Sequence, residues 1–108
     1  MTGTAAQRFV TVATVGEIPD GGVKVARLDD REIAIFHVAG RYYAMDDVCT
    51  HDGGPLAEGV LEDHVIECPR HGARFDVRTG VVLAMPATAP VPIYSVRIEG
   101  DAVQVAWS

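Results

Sequence analysis

Two short motifs, Cys49-Thr50-His51 and Cys68-Pro69-Arg70-His71-Gly72, stand sixteen residues apart and contain both cysteines of the chain. Their spacing constrains the fold before any strand or helix is read, because two loops must face each other for the four side chains to meet on one centre. Thiolate and imidazole are ligands for iron and zinc. With one Cys and one His on each arm, both sulfurs can turn inward to one iron of a [2Fe-2S] centre while both rings turn outward to the other. The mixture has an electrostatic consequence. Two ferric ions, two sulfides and two thiolates sum to zero, and reduction leaves a single negative charge, whereas a four-thiolate cluster starts two charges more negative and accepts an electron less readily. The residue types therefore predict a one-electron carrier with a potential above that of a plant-type ferredoxin.

Zinc uses the same donors, but zinc modules usually place two cysteines in one knuckle and two histidines in the other, roughly C-x2-4-C and H-x3-5-H. A disulfide between Cys49 and Cys68 would leave the two neighbouring histidines unexplained. Met1 to Arg8 contains neither a long apolar run nor paired arginines, so the expectation is a cytoplasmic protein with no membrane anchor, where a stable disulfide is disfavoured. At 108 residues the chain is expected to be a single domain, 1–108, with little room for a second active site. Its net charge of -6 argues against nucleic acid or an anionic membrane as a partner. An acidic surface suits a carrier steered toward basic patches, although the same charge also serves plain solubility.

The apolar pattern is short and mostly alternating, which predicts an all-β chain. Strands are expected over Phe9–Val12, Val23–Leu28, Glu32–His37, Arg41–Met45, Val65–Glu67, Arg74–Val77, Ile93–Glu99 and Ala102–Trp107. Hairpin turns fall at Asp29-Asp30-Arg31, Ala39-Gly40 and Gly100-Asp101. From Asp46 to Gly59 the strand pattern stops, and this loop holds the first ligand motif. Met85 to Pro92 carries Pro86, Pro90 and Pro92 and reads as an extended connector that cannot pair as a central strand. Gly53, Gly54 and Gly72 are candidates for close backbone approach to thiolate and sulfide.

Over Cys49-Thr50-His51-Asp52-Gly53-Gly54-Pro55-Leu56 and Cys68-Pro69-Arg70-His71-Gly72-Ala73-Arg74-Phe75-Asp76 the sequence resembles the bacterial Rieske-type ferredoxins of multicomponent aromatic-ring dioxygenases. The likeness extends through Pro86-Ala87 to Pro90-Val91-Pro92-Ile93-Tyr94. It implies a Rieske-like stack of antiparallel sheets with the cluster held at one tip by two loops. It further implies that Cys49 and Cys68 bind the buried iron, that His51 and His71 bind the outer iron, and that the proline segment covers the cluster, with Pro86 beside it. The partners implied are a flavin-dependent NAD(P)H reductase and a terminal oxygenase, served by a monomeric carrier that is not itself an enzyme.

The high-potential respiratory branch adds a Cys to each loop, where this chain has Gly54 and Arg70, and it places a serine and a tyrosine where this chain has Ala73 and Phe75. Fewer donors to the cluster sulfurs predict a potential near the low end of the Rieske range, roughly -150 mV. A Rieske oxygenase would need a second domain for mononuclear iron, and His37 and His64 are the only spare histidines. Both read as strand-end or surface residues. Asp46, Asp47, Asp52, Glu58, Glu62 and Asp63 form either an acidic docking rim or solvated turns. Phe36, Tyr42, Tyr43, Tyr94 and Trp107 read as packing residues. The alternative function is the small Rieske subunit of an enzyme such as assimilatory nitrite reductase.

Overall fold

The structure is a computed structural model that describes residues 8–50, 54–70, 72–85 and 89–107. Among these residues none is helical, and the strands form three antiparallel sheets. The central sheet has the order β2-β3-β4-β9, from Val23–Leu28, Arg31–Val38, Arg41–Asp46 and Ile93–Tyr94. A second sheet, β1-β11-β10, joins Arg8–Thr14, Ala102–Trp107 and Val96–Glu99. The third, β5-β6-β7-β8, is built from the short segments Val60–Glu62, Val65–Glu67, Arg74–Asp76 and Val82–Ala84.

The middle position of the central sheet is visible in β3. Successive side chains of a strand point to opposite faces, and Ile33 to Phe36 is apolar without interruption because both faces are covered. Ala34, Phe36 and Val38 enter one core with Met45, Ile66, Phe75 and both cysteines. Ile33 and Ile35 enter the other with Ala44, Val12, Val103 and Val105. The sheet that carries the ligand arms is thus packed on one face of β3 and the terminal sheet on the other.

Several strands depart from the expected bounds: β1 and β3 run longer at both ends, and β7 stops at Asp76, leaving Val77 outside it. Ile93–Glu99 is two strands: β9 pairs with β4, then at Ser95 the chain changes sheet and β10 pairs with β11. Alternation runs straight through such a crossing, so the pattern does not reveal it. β5 and β8, each three residues long, were not expected; β6 is as short, but there the second ligand motif marks where the strand ends. Asp46 belongs to β4, which extends one residue beyond the expected Met45.

Of the proline connector, Met85 and Ala89–Pro92 are described and none is in a strand, while Pro86 lies outside the described residues. Its backbone meets the turn after β7 directly: Val91 N–H donates to the Gly80 carbonyl at 2.9 Å. Gly80 has φ +79, and a Cβ there would lie 2.0 Å from the Val91 carbonyl oxygen.

Candidate metal centre

Both cysteines begin loops that the backbone closes in the same way. Cys49 N–H donates to the Gly54 carbonyl at 2.7 Å, and Cys68 N–H donates to the Ala73 carbonyl at 2.7 Å. Each bond spans five residues and folds the arm back on its own cysteine. In the second arm Gly72 N–H also donates to the Cys68 carbonyl at 3.2 Å, with Gly72 at φ +79, a conformation costly for residues with a side chain. Gly53 lies outside the described residues.

The first arm is anchored at its base by Asp47, whose carboxylate accepts from Ala57 N–H at 2.7 Å while its N–H donates to Glu32 at 2.9 Å. One residue earlier, Asp46 N–H donates to the Pro92 carbonyl, and its carboxylate accepts the Tyr94 O–H at 2.5 Å. Arg31 in turn donates to the Tyr94 oxygen at 3.0 Å. Burial, with the bond to Asp46 next, holds the Tyr94 hydroxyl above its ordinary pKa, so it stays a donor. Asp46 and Asp47 thus serve as anchors of the first arm, which neither of the two expectations for them, an acidic docking rim or solvated turn residues, describes. Glu58, Glu62 and Asp63 are exposed, and Asp52 lies outside the described residues.

The second arm leaves β6 at Glu67 and enters β7 at Arg74, cross-strand partners whose side chains pair at 3.0 Å on the exposed face. A surface pair of this kind contributes about 0 to 1 kcal/mol. Its value is to fix the feet of the loop. Sequence reasoning missed it, although Glu67 and Arg74 directly flank the ligand arm.

Cys49 and Cys68 are each 1% exposed, lie in one buried core, and are not joined in a disulfide. Two thiols placed together in an apolar core suit a soft metal centre, because thiolate is costly to bury without a cation. Among the described residues no group of three or more His, Cys, Asp or Glu is placed to hold a metal ion, so two thiols need further ligands from elsewhere. His51 and His71, the expected imidazole ligands, lie outside the described residues.

The other two histidines have structural partners. His37 Nδ1 contacts the Ile18 carbonyl at 2.7 Å, and its ring stacks on Tyr42 at 4.2 Å. His64 meets Tyr43 edge-on at 5.7 Å. Phe36 is fully buried, and Trp107 donates to Asp29 at 2.8 Å while contacting the Tyr94 ring, so the aromatic residues pack the fold.

Comparison with known proteins gives this site a context. The family description "Rieske [2Fe-2S] domain" matches residues 8–95. The chain is 38% identical over 102 residues to the ferredoxin component of a naphthalene 1,2-dioxygenase system from Pseudomonas aeruginosa, covering 94% of this chain and 98% of that protein. A solved complex of reduced oxygenase and oxidized ferredoxin in carbazole 1,9a-dioxygenase contains a chain similar to this one with TM-score 0.87 and 34% identity, covering 93% of this chain and 94% of that one. A solved chain described as a "putative NADH-dependent nitrite reductase small subunit" from Mycobacterium tuberculosis has TM-score 0.83 at 24% identity, covering 94% of this chain and 96% of that one, a likeness of fold alone.

Proposed function

Because the chain belongs to the Rieske [2Fe-2S] family, we propose that it is a one-electron carrier that takes electrons from a flavin-dependent NAD(P)H reductase and delivers them to a terminal oxygenase. The observation that carries this reading is the meeting of Cys49 and Cys68 in one buried core, each at the head of a loop closed by the same five-residue backbone bond. Family membership implies one [2Fe-2S] cluster. Cys49 and Cys68 would hold one iron and His51 and His71 the other, so that the cluster supplies a site for one reversible electron.

The protein's own residues provide a largely apolar seat for it. The two arms are tied at their bases by Asp47, the Asp46–Tyr94 bond and the Glu67–Arg74 pair. Relatives named as ferredoxin components of dioxygenase systems support the carrier role over a catalytic one. The nitrite reductase alternative rests on a likeness of fold alone.

In this reading residues 1–108 act as a single domain, monomeric and cytoplasmic. Among the described residues no helix is long and apolar enough to cross a membrane. The test is anaerobic stopped-flow with the reductase and terminal oxygenase of a naphthalene dioxygenase system. A carrier is reduced by the first and reoxidised by the second within the turnover time of the system. A protein that exchanges electrons with neither, yet purifies in fixed stoichiometry with a larger enzyme, would favour the subunit role.

A further inference from the structure

After β9 has paired with β4, the chain changes sheet at Ser95, and the two sheets part there. Beyond that point β4 and β10 border a cleft of about 260 Å³, lined by Arg41, Tyr42, Tyr43, Val96, Arg97 and Ile98. Alternate residues of an antiparallel strand turn their N–H and C=O to opposite edges. Asp46 N–H donates to Pro92 on the β9 side, so Ala44 and Tyr42 face that side as well. Ala44 is met there by Tyr94, but β9 is two residues long and Tyr42 lies past its end. On the other wall, Ala106 N–H donates to the Ser95 carbonyl at 2.9 Å, which turns Ser95 and Arg97 toward β11 and leaves Val96 and Ile98 directed away from it. β10 is the edge strand of its sheet. Two open strand edges therefore border one cleft.

The lining carries two arginines and, among the described residues, no carboxylate, on a chain whose net charge is -6. Neither arginine is paired with a carboxylate among the described residues. Arg41 is exposed, and Arg97 donates from Nε to Gln104 at 2.8 Å while its guanidinium lies 4.2 Å from the centre of the Phe9 ring. Exposed Ile98 and the half-buried Tyr42 and Tyr43 supply apolar surface. We propose that this cleft is a docking site for an extended acidic segment of a partner protein, which adds as a short strand to the β10 edge and sets its carboxylates against Arg41 and Arg97. Main-chain pairing gives such a site its affinity, and the side chains give it selectivity. The cleft lies at the Arg41 end of β4, whereas the first ligand arm follows the Asp46 end, roughly 17 Å away along a six-residue strand. A partner held here leaves that arm uncovered.

The test is a titration of the full, cluster-loaded chain, followed by its amide NMR shifts, with a capped octapeptide of alternating Glu and Thr, which places every carboxylate on one face of an extended strand. Two further peptides serve as controls: one with Lys in place of Glu, and one with the acidic sequence but every backbone nitrogen methylated. The expected result is a saturable shift of the Tyr42, Val96 and Ile98 amides with the acidic peptide and none with the lysine peptide. The methylated peptide, which keeps the charges and has no N–H to pair, is expected to bind about tenfold more weakly. Arg41→Gln and Arg97→Gln are each expected to weaken the acidic peptide about threefold. No saturable shift at millimolar peptide, equal binding of the acidic and lysine peptides, or undiminished binding of the methylated one would overturn the proposal. So would a shift of the same three amides with protein concentration alone, which would assign the cleft to a second copy of the chain. The peptide comparison is read on the parent protein, so it decides the matter even if an arginine variant fails to fold.

Discussion

Ala73 and Phe75 are fully buried in the core that holds both cysteines, and neither offers a hydroxyl. Ala73→Ser and Phe75→Tyr, with the new O–H directed to a cluster sulfur, are each expected to raise the reduction potential by stabilising the more negative reduced state. The bond exists in both redox states, so only its difference counts. Taking about 1 kcal/mol, a fraction of the value for a hydrogen bond to a charged group, the one-electron scale gives a rise of about 40 mV. Potentiometry on both single variants checks this, and a fall would assign control of the potential to backbone donors or solvent. Away from the site, exposed Ala39 sits at φ +53 in the turn before β4 and is followed by Gly40. Ala39→Asn creates the Asn-Gly pair that such a turn favours and is expected to stabilise the fold by about 0.5 to 1 kcal/mol in denaturant unfolding. At this scale the sequence was informative wherever residue type and spacing coincide, as at Cys49 and Cys68. It was silent where a common residue is recruited by distant chain: nothing near Asp47 announces Ala57.

The turn from β7 to β8 shows what holds an element beside the site. The Asp76 carboxylate accepts from the Arg78 backbone at 2.8 Å and from its guanidinium at 3.0 and 2.8 Å. Arg78 holds the Asp76 carboxyl below its ordinary value, with burial opposing. A depressed carboxyl contributes stability that is complete above its unfolded pKa and lost as pH falls through the lower folded one. Asp76→Asn is therefore expected to be less stable than the parent at neutral pH, with the gap closing as pH falls below the ordinary value of 3.8; a gap independent of pH in urea titrations would contradict this. In the same turn Gly80→Ala must displace the Val91 carbonyl and adopt φ +79, at an expected cost of about 2 to 4 kcal/mol. The limits of β2 and β11 match the expected Val23–Leu28 and Ala102–Trp107, because the turn residues Asp29-Asp30 end the first and Gly100-Asp101 precede the second. Those of β9 and β10 do not, because the change of sheet at Ser95 leaves the alternating pattern intact.

Across the whole molecule, the order of the layers explains why the ligand arms sit where they do. β3 is covered on both faces, so the sheet of short strands that carries the second arm is packed against a core closed from behind by the terminal sheet. The all-β class and the two-loop arrangement were readable from the motifs and alternation, whereas the assignment of strands to three sheets depends on long-range pairing such as β1 with β11. The net charge of -6 acts at this scale too. Electron transfer to a basic partner is expected to slow severalfold as salt rises from low to physiological concentration, since the screening length falls to about 8 Å. Asp46 and Asp47 are half-buried and hydrogen-bonded, which leaves the exposed Glu58, Glu62 and Asp63 as the acidic residues of that region free to contribute to the steering. Whether the two arms hold one [2Fe-2S] cluster is decided by quantifying metal and acid-labile sulfide in the purified chain. Two irons and two sulfides per chain are expected; one zinc with no sulfide would overturn the cluster assignment.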